Sequence, residues 1–399
     1  MPRIPGRRLL HSPGPTPVPD EVLHAMLRQP TDLGDPAVAQ LIDDCERGLQ
    51  RLLQTTTADV FLYAANGHGG WEAVIANLVG PGTVVLIPGT GHFSDSWAEQ
   101  VRAFGGEALR TPWREGLPID PAEVEALLRA DRAQRISAVF TVHTDTASSV
   151  TSDVPAIARA IQAAGHPALH VVDVVASLGA APFAMDALGI DVVMGASQKG
   201  LMGQPGLAFV AANERALAAA QRNPAPRFYW DWARRRGAMP YQKFCGTAPL
   251  AHLAGLRAAI GLIEAEGLDA VWARHQRLAG AVQAAVSAWG QGFALFAREA
   301  AARSVSVTAI QTPPGVDPEA IRRVAREQFQ VAVAGGLGPL AGRVFRIGHL
   351  GDQNEAQILG CLAGVEAAML QLGLAFTSGL PAAQQALVDA VRAVNATPA

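Results

Sequence analysis

The chain has 399 residues, 49% of them apolar, and a formal charge of −3 from 32 Lys and Arg against 35 Asp and Glu scattered without blocks. That balance lacks the basic footprint of a nucleic-acid or polybasic membrane binder and favours a small-molecule partner, while the length calls for a large domain with a smaller companion. The three cysteines, Cys45, Cys245 and Cys361, are widely spaced and odd in number, which fits a reducing, cytoplasmic setting and makes neither a disulfide framework nor a metal-ligand pattern.

Residues 1–11 carry Arg3, Arg7 and Arg8 and no acid, a faint transit-like signal opposed by Pro2, Pro5 and the short length. Pro13-Gly14-Pro15-Thr16-Pro17 is incompatible with helix or central strand, so residues 1–20 read as an extended arm. From there short apolar, β-branched runs alternate with alanine-rich amphipathic segments. The expected strands are Val60–Ala64, Thr83–Ile87, Ile136–Val142, Leu169–Val172, Val192–Met194 and Leu207–Val210, which predicts an α/β domain over 21–266 with a mostly parallel sheet covered on both faces. A long helical segment is expected from Leu250 to about Trp289. Then come a strand over Ser304–Ile310, a helix over Pro318–Gln328, a Gly-rich loop at Gly335–Gly342, a strand over Val344–Ile347 and a terminal helix. Residues 267–399 therefore read as a smaller C-terminal α+β domain. No apolar stretch reaches the roughly 20 residues that span a bilayer without Gly, Pro or charge, and the final Ala396-Thr397-Pro398-Ala399 is not a peroxisomal address.

Ligands on such sheets bind beyond the carboxyl ends of the strands, and His68, Thr146, Asp173 and Lys199 all follow such ends. A lysine amine on a rigid strand end can form a Schiff base, and a buried carboxylate can keep a pyridine nitrogen protonated, which are the two groups pyridoxal phosphate chemistry needs. Singly, each is more often a solvated turn lysine or a helix cap. Asn66-Gly67-His68-Gly69-Gly70 follows a strand and opens a helix, a setting that suits a phosphate or an ordinary tight turn, and it does not match the dinucleotide fingerprint. His68 is a cofactor contact or a surface residue. Phe93 is a ring cover or a core aromatic. Thr146 offers a hydroxyl to a ring oxygen or substrate, or belongs to a cap cluster. Arg346, inside the apolar run Val344-Phe345-Arg346-Ile347-Gly348, needs a carboxylate partner, either that of a substrate or one from a structural salt bridge. Phe228-Tyr229-Trp230-Asp231-Trp232 suits the packing of a domain or subunit interface.

With these residues in view, the chain resembles class V, fold type I pyridoxal phosphate aminotransferases of the alanine-glyoxylate and serine-pyruvate group. The likeness runs over nearly the whole chain, through Pro13-Gly14-Pro15, Gly67-His68, the stretch from Asp173 to Gly179, Ser197-Gln198-Lys199, Pro205-Gly206-Leu207, Thr247-Ala248-Pro249, Gly335-Gly336-Leu337-Gly338-Pro339 and Arg346-Ile347-Gly348. It implies a seven-stranded large-domain sheet and Lys199 as the covalent and proton-shuttling lysine. Asp173 is implied to pair with the pyridinium nitrogen, Val175 and Phe93 to pack on the ring, and Asn66, Gly67, His68 and Gln198 to hold the phosphate. Thr247 is implied to reach in from a second subunit, hence a homodimer, with Arg346 on the substrate carboxylate and the proline-rich arm across the partner. Two positions depart from the pattern: Phe244 stands in place of a phosphate-binding tyrosine, and Asn66 in place of a serine. The implied reaction is ping-pong transamination between a small amino acid, alanine or serine favoured, and glyoxylate or pyruvate.

A second resemblance, through residues 264–275, Arg346-Ile347-Gly348-His349 and the long C-terminal tail, is to pyridoxamine-pyruvate aminotransferase. A phosphate cradle serves no purpose for its unphosphorylated ring. Sulfur removal from cysteine, the other chemistry on this fold, needs a mobile activated thiol, for which Cys245 is the candidate nearest the expected site. A non-enzymatic binding protein would not need both Lys199 and Arg346.

Overall fold

The structure, a computed structural model, describes residues 6–396. Arg3 of the basic N-terminal run and the terminal Thr397–Ala399 lie outside the described residues.

Seven strands form the central sheet, in the spatial order Asp59–Ala64, Leu207–Ala212, Val192–Ala196, Leu169–Asp173, Ile136–Val142, Val84–Ile87 and Glu107–Arg110. Leu207–Ala212 is antiparallel to both neighbours and the other pairings are parallel. Five of these strands are apolar almost throughout because helices cover both faces. On one face Ile42, Leu49, Leu253 and Ile260 pack against Val172, Val193 and Phe209; on the other Trp71, Val74, Trp97 and Val101 pack against Phe140, Val171 and Met194. Helix starts are fixed locally: Asp35, Asp120 and Asp317 each precede a proline and accept a hydrogen bond from the backbone N–H two residues on, joining a side-chain cap to a residue already set for the first turn.

The second sheet has the order Leu9–His11, Val331–Gly335, Val344–Gly348, Val307–Gln311 and Ala294–Leu295. It packs against helices Leu268–Trp289, Glu355–Gln371 and Leu380–Ala396 through Leu278, Val282, Trp289, Phe345, Ile347, Leu362 and Val365.

Several sequence expectations are corrected here. The helical stretch from Leu250 to Trp289 is two helices, Leu250–Glu266 and Leu268–Trp289, divided at Gly267, whose φ of 87° only glycine adopts readily. The terminal helix is also two, broken by the turn after Gln371. Ser304 and Ser306 are occupied by side-chain hydrogen bonds, so the strand begins only at Val307. The N-terminal arm is not wholly extended coil, since Leu9–His11 pairs in parallel with Val331–Val333. Edge strand Glu107–Arg110 and strand Val331–Gly335 have no counterpart among the expected strands.

Candidate active site

The strands Asp59–Ala64, Ile136–Val142, Leu169–Asp173 and Val192–Ala196 end on one edge of the sheet, and the segments that leave them close around a cavity of about 220 Å3. Its walls hold Asn66, Gly67, His68, Phe93, Thr146, Asp173, Val175, Gln198 and Lys199, together with Trp71, Thr144 and Ala176. The sequence-predicted residues on five different segments thus meet in one place.

Helix Gly67–Leu78 points its N-terminus into this cavity. Asn66 caps it by accepting from Gly69 N–H at 3.1 Å, while the Gly67 and His68 N–H groups make no hydrogen bond to the described residues. Unpaired donors at the positive end of a helix dipole make an anion seat. Gln198 also lines the cavity, where its amide NH2 is a donor that an anion in that seat can use.

Asp173 lies on the floor. Its Oδ1 accepts from Val175 N–H at 2.7 Å and its Oδ2 from the Trp71 indole at 2.9 Å. Burial nevertheless pushes its carboxyl up to about 6, because two neutral donors do not replace the lost hydration of a charge. Lys199 is pulled down to about 8 by burial, and the Arg346 cation acts in the same direction. Its Nζ donates to the Pro13 carbonyl at 2.5 Å.

Arg346 stands behind the wall, donating from Nη1 to the Thr146 carbonyl at 2.8 Å and from Nε to the Gly335 carbonyl at 2.7 Å. Burial pulls its guanidinium down to about 10. It forms no ion pair with a described carboxylate, so the structural salt-bridge alternative is not what the fold uses. A buried guanidinium held by two carbonyls keeps its charge available for an incoming anion. Thr146 is buried, and its hydroxyl makes no hydrogen bond with the described residues.

Other expected residues fall outside the cavity. Thr247 is exposed on its own chain. Phe244 is buried in the large-domain core and lines no part of the cavity, while Tyr241 in the same helix, Pro240–Phe244, is 61% exposed. Cys245 closes that helix away from the cavity. Of the aromatic run, Trp232 belongs to the core, stacked on Phe61, whereas Phe228 is 62% exposed. The arm, which the resemblance places across a partner, runs over its own chain's Lys199 because the pairing of Leu9–His11 with Val331–Val333 directs it there.

Two residues at the site carried no expectation. Asp145 is fully buried, its carboxylate accepting from Ala147 N–H, Phe93 N–H and the Thr90 hydroxyl, and it fixes the start of helix His92–Ala103, which carries Phe93, against the turn that carries Thr146. Trp71 reaches Asp173 across 102 residues of sequence. Trp71→Phe keeps the stacking on Trp97 but removes one donor from the Asp173 carboxylate. If Asp173 holds a ligand through its ionised carboxylate, the pH below which binding weakens should then rise by roughly one unit, the worth of one hydrogen bond to a charge. Binding titrations on the apoprotein between pH 4 and 8 test this, and an unmoved limb would reduce Trp71 to packing.

The family model for class-V aminotransferases matches residues 8–340. The chain belongs to this family. This class-V aminotransferase is 40% identical over 382 residues to an L-aspartate–glyoxylate aminotransferase of Paracoccus denitrificans and 38% identical over 382 residues to a serine–glyoxylate aminotransferase of Methylorubrum extorquens, each match covering 94% of both chains. Among solved structures it superposes on pyridoxamine-pyruvate aminotransferase from Mesorhizobium loti with a TM-score of 0.88 and 28% identity, covering 98% of this chain and all of that one. Class-V aminotransferases are fold type I enzymes dependent on pyridoxal phosphate. The residues present fit that group: an anion seat at a helix start, a buried carboxylate without an ion-pair partner, and a lysine amine share one cavity.

Proposed function

We propose that this aminotransferase exchanges an amino group between a small amino acid, alanine or serine favoured, and a small 2-oxo acid, glyoxylate or pyruvate. The observation that carries the reading is the placement of Arg346, a buried guanidinium without a carboxylate partner, behind the cavity that holds Lys199 and Asp173. Among the described residues the cavity wall holds one lysine, Lys199, and no arginine, so with Arg346 behind it one carboxylate finds a guanidinium and a second does not, which favours alanine or serine over aspartate. The volume that must take both ring and substrate favours small side chains.

In this reading Asn66, Gly67, His68 and Gln198 hold the phosphate, Val175 and Phe93 pack on the ring, and Thr146 offers its hydroxyl to the ring oxygen or substrate. Asp173 holds the proton on the ring nitrogen, oriented by Trp71 and Val175 N–H. Bound pyridoxal phosphate supplies an aldehyde for the amino group and a ring that accepts electrons from the substrate Cα–H bond. The Lys199 Nζ takes the Cα proton, and a neutral amine near pH 8 is matched to that task.

The reading includes a homodimer in which Thr247 reaches the neighbouring site. Phe228, Met239 and Tyr241, in the segment that precedes the exposed Thr247, are between 61% and 62% exposed, apolar side chains that such a partner would cover. Residues 1–20, 21–266 and 267–399 serve as arm, cofactor domain and small domain, with Gly267 as the joint. Among the described residues no helix is long and apolar enough to cross a membrane, and we place the enzyme in the cytoplasm.

The test is the absorbance spectrum of the protein with pyridoxal phosphate, followed by alanine, serine, aspartate or pyridoxamine, each paired with glyoxylate or pyruvate. Bleaching of the visible band by alanine or serine with release of the matching oxo acid supports the proposal. Conversion of pyridoxamine and pyruvate into pyridoxal and alanine, without tight cofactor binding, replaces it. Arg346→Ala should raise the amino-acid KM about 10- to 100-fold, the range for a charge-assisted contact, with the cofactor band unchanged. An unaltered KM would make Arg346 structural.

A further inference from the structure

We propose that the Pro13–Gly14 peptide is the docking place of the free Lys199 amine, receiving Nζ whenever the lysine is not bonded to the cofactor, so that Gly14 and Thr16 are positioning residues for the catalytic base. The inference rests on pyridoxal phosphate transamination at this site. Such a cycle requires the lysine to be free for part of each turnover, and a free amine in a buried cavity needs an acceptor.

The acceptor in the structure is the Pro13 carbonyl, 2.5 Å from Nζ, and Lys199 forms no ion pair with a described carboxylate. The choice of group has a chemical consequence. A carbonyl accepts from a neutral amine and from an ammonium alike, whereas a carboxylate partner would hold the lysine charged and spoil it as a base. With burial bringing the amine down to about 8, either protonation state can dock there.

The arm is fastened to the lysine it serves. Thr16 N–H donates to the Gln198 carbonyl at 3.2 Å and the Thr16 hydroxyl to the Lys199 carbonyl at 3.1 Å, so the arm and the lysine backbone keep one relative position. Gly14, at a φ of 131°, has no room for a side chain: a Cβ there would lie 2.5 Å from Nζ. At its other end the arm is tied to the small sheet by the Leu9–His11 pairing and by a 3.0 Å hydrogen bond between His11 Nδ1 and the Gly348 carbonyl, two residues beyond Arg346. The segment thus spans from the strand that would bind the substrate carboxylate to the amine that would take the substrate proton.

The experiment compares wild type, Gly14→Ala and Thr16→Val as apoproteins, measuring the affinity of each for pyridoxal phosphate and for pyridoxamine phosphate by equilibrium dialysis. Lysine is bonded in the first complex and free in the second. The amine is docked in the apoprotein and in the pyridoxamine phosphate complex alike and leaves its dock only in the pyridoxal phosphate complex, so Gly14→Ala should tighten pyridoxal phosphate about tenfold relative to pyridoxamine phosphate, the size of one charge-assisted hydrogen bond, and Thr16→Val should do the same to a smaller degree. An equal change for both ligands, or no change in their ratio, overturns the proposal. Wild-type protein that binds neither ligand would instead defeat the cofactor reading beneath it. Circular dichroism melts confirm folding, and if Gly14→Ala does not fold, the Thr16→Val comparison decides on the same criterion.

Discussion

Lys199→Ala is expected to lower kcat for transamination by about 10^4-fold or more, because in the proposed reading it removes at once the covalent anchor and the one lysine that lines the cavity among the described residues. The loss should not be a loss of fold. Burial holds this amine at about 8 against 10.5 for an ordinary lysine. A group whose folded-state pKa lies below its unfolded value destabilises the native chain fully below the folded pKa, and the penalty fades as the pH rises from 8 towards 10.5. At pH 7 the wild type carries that penalty and the alanine variant does not, which offsets packing lost with the side chain. Between pH 7 and 10.5 wild type should gain stability relative to the variant. Steady-state kinetics and melts across that range check both halves, and turnover within tenfold of wild type would remove Lys199 from the chemistry.

The features legible in the sequence are those whose cause is local. The buried strands Ile136–Val142 and Leu169–Asp173 are apolar and β-branched because both faces are covered. Their order along the chain then places Thr146, Asp173 and Lys199 at a common edge, where the structure brings them together. The edge strand Glu107–Arg110 is partly exposed and ends in charges, so it lacks that pattern and gains its identity only by pairing with Val84–Ile87. Trp71 reads as an ordinary helix aromatic, since its hydrogen bond to Asp173 exists only once helix Gly67–Leu78 packs on the sheet. The proline-rich arm announces an extended segment, but its path over Lys199 depends on a pairing with Val331–Val333 more than three hundred residues away. Gly267 is the instructive miss: a glycine after a run of good helix formers is a stop signal, and the alanine- and leucine-rich sequence on both sides concealed it.

Asp173→Asn gives the second large effect, and its sign depends on whether cofactor is present. In the apoprotein the carboxyl is raised from 3.8 to about 6 by burial. A raised folded-state pKa means the native chain holds this proton more tightly than the unfolded chain. The resulting stability is therefore complete below pH 3.8 and lost as the pH rises through 6. At about 1.4 kcal/mol per pH unit, wild-type apoprotein should lose about 2 kcal/mol relative to Asp173→Asn between pH 4 and pH 7. Comparing the change with pH, not the absolute stability, cancels the constant cost of turning an asparagine NH2 towards one of two donors, Val175 N–H or the Trp71 indole. With cofactor bound the order reverses at neutral pH. If Asp173 pairs with the ring nitrogen as proposed, the proton there meets a carboxylate in wild type and none in the variant, so wild type should gain stability from the ligand while Asp173→Asn gains less and turns over at least about 100-fold more slowly. Denaturant unfolding of both proteins at pH 4 and pH 7, with and without pyridoxal phosphate, reads both signs. Parallel pH profiles in the apoproteins would mean that Asp173 is not buried as an uncompensated charge, and the site would then lack the feature that distinguishes it from an ordinary strand-end cap.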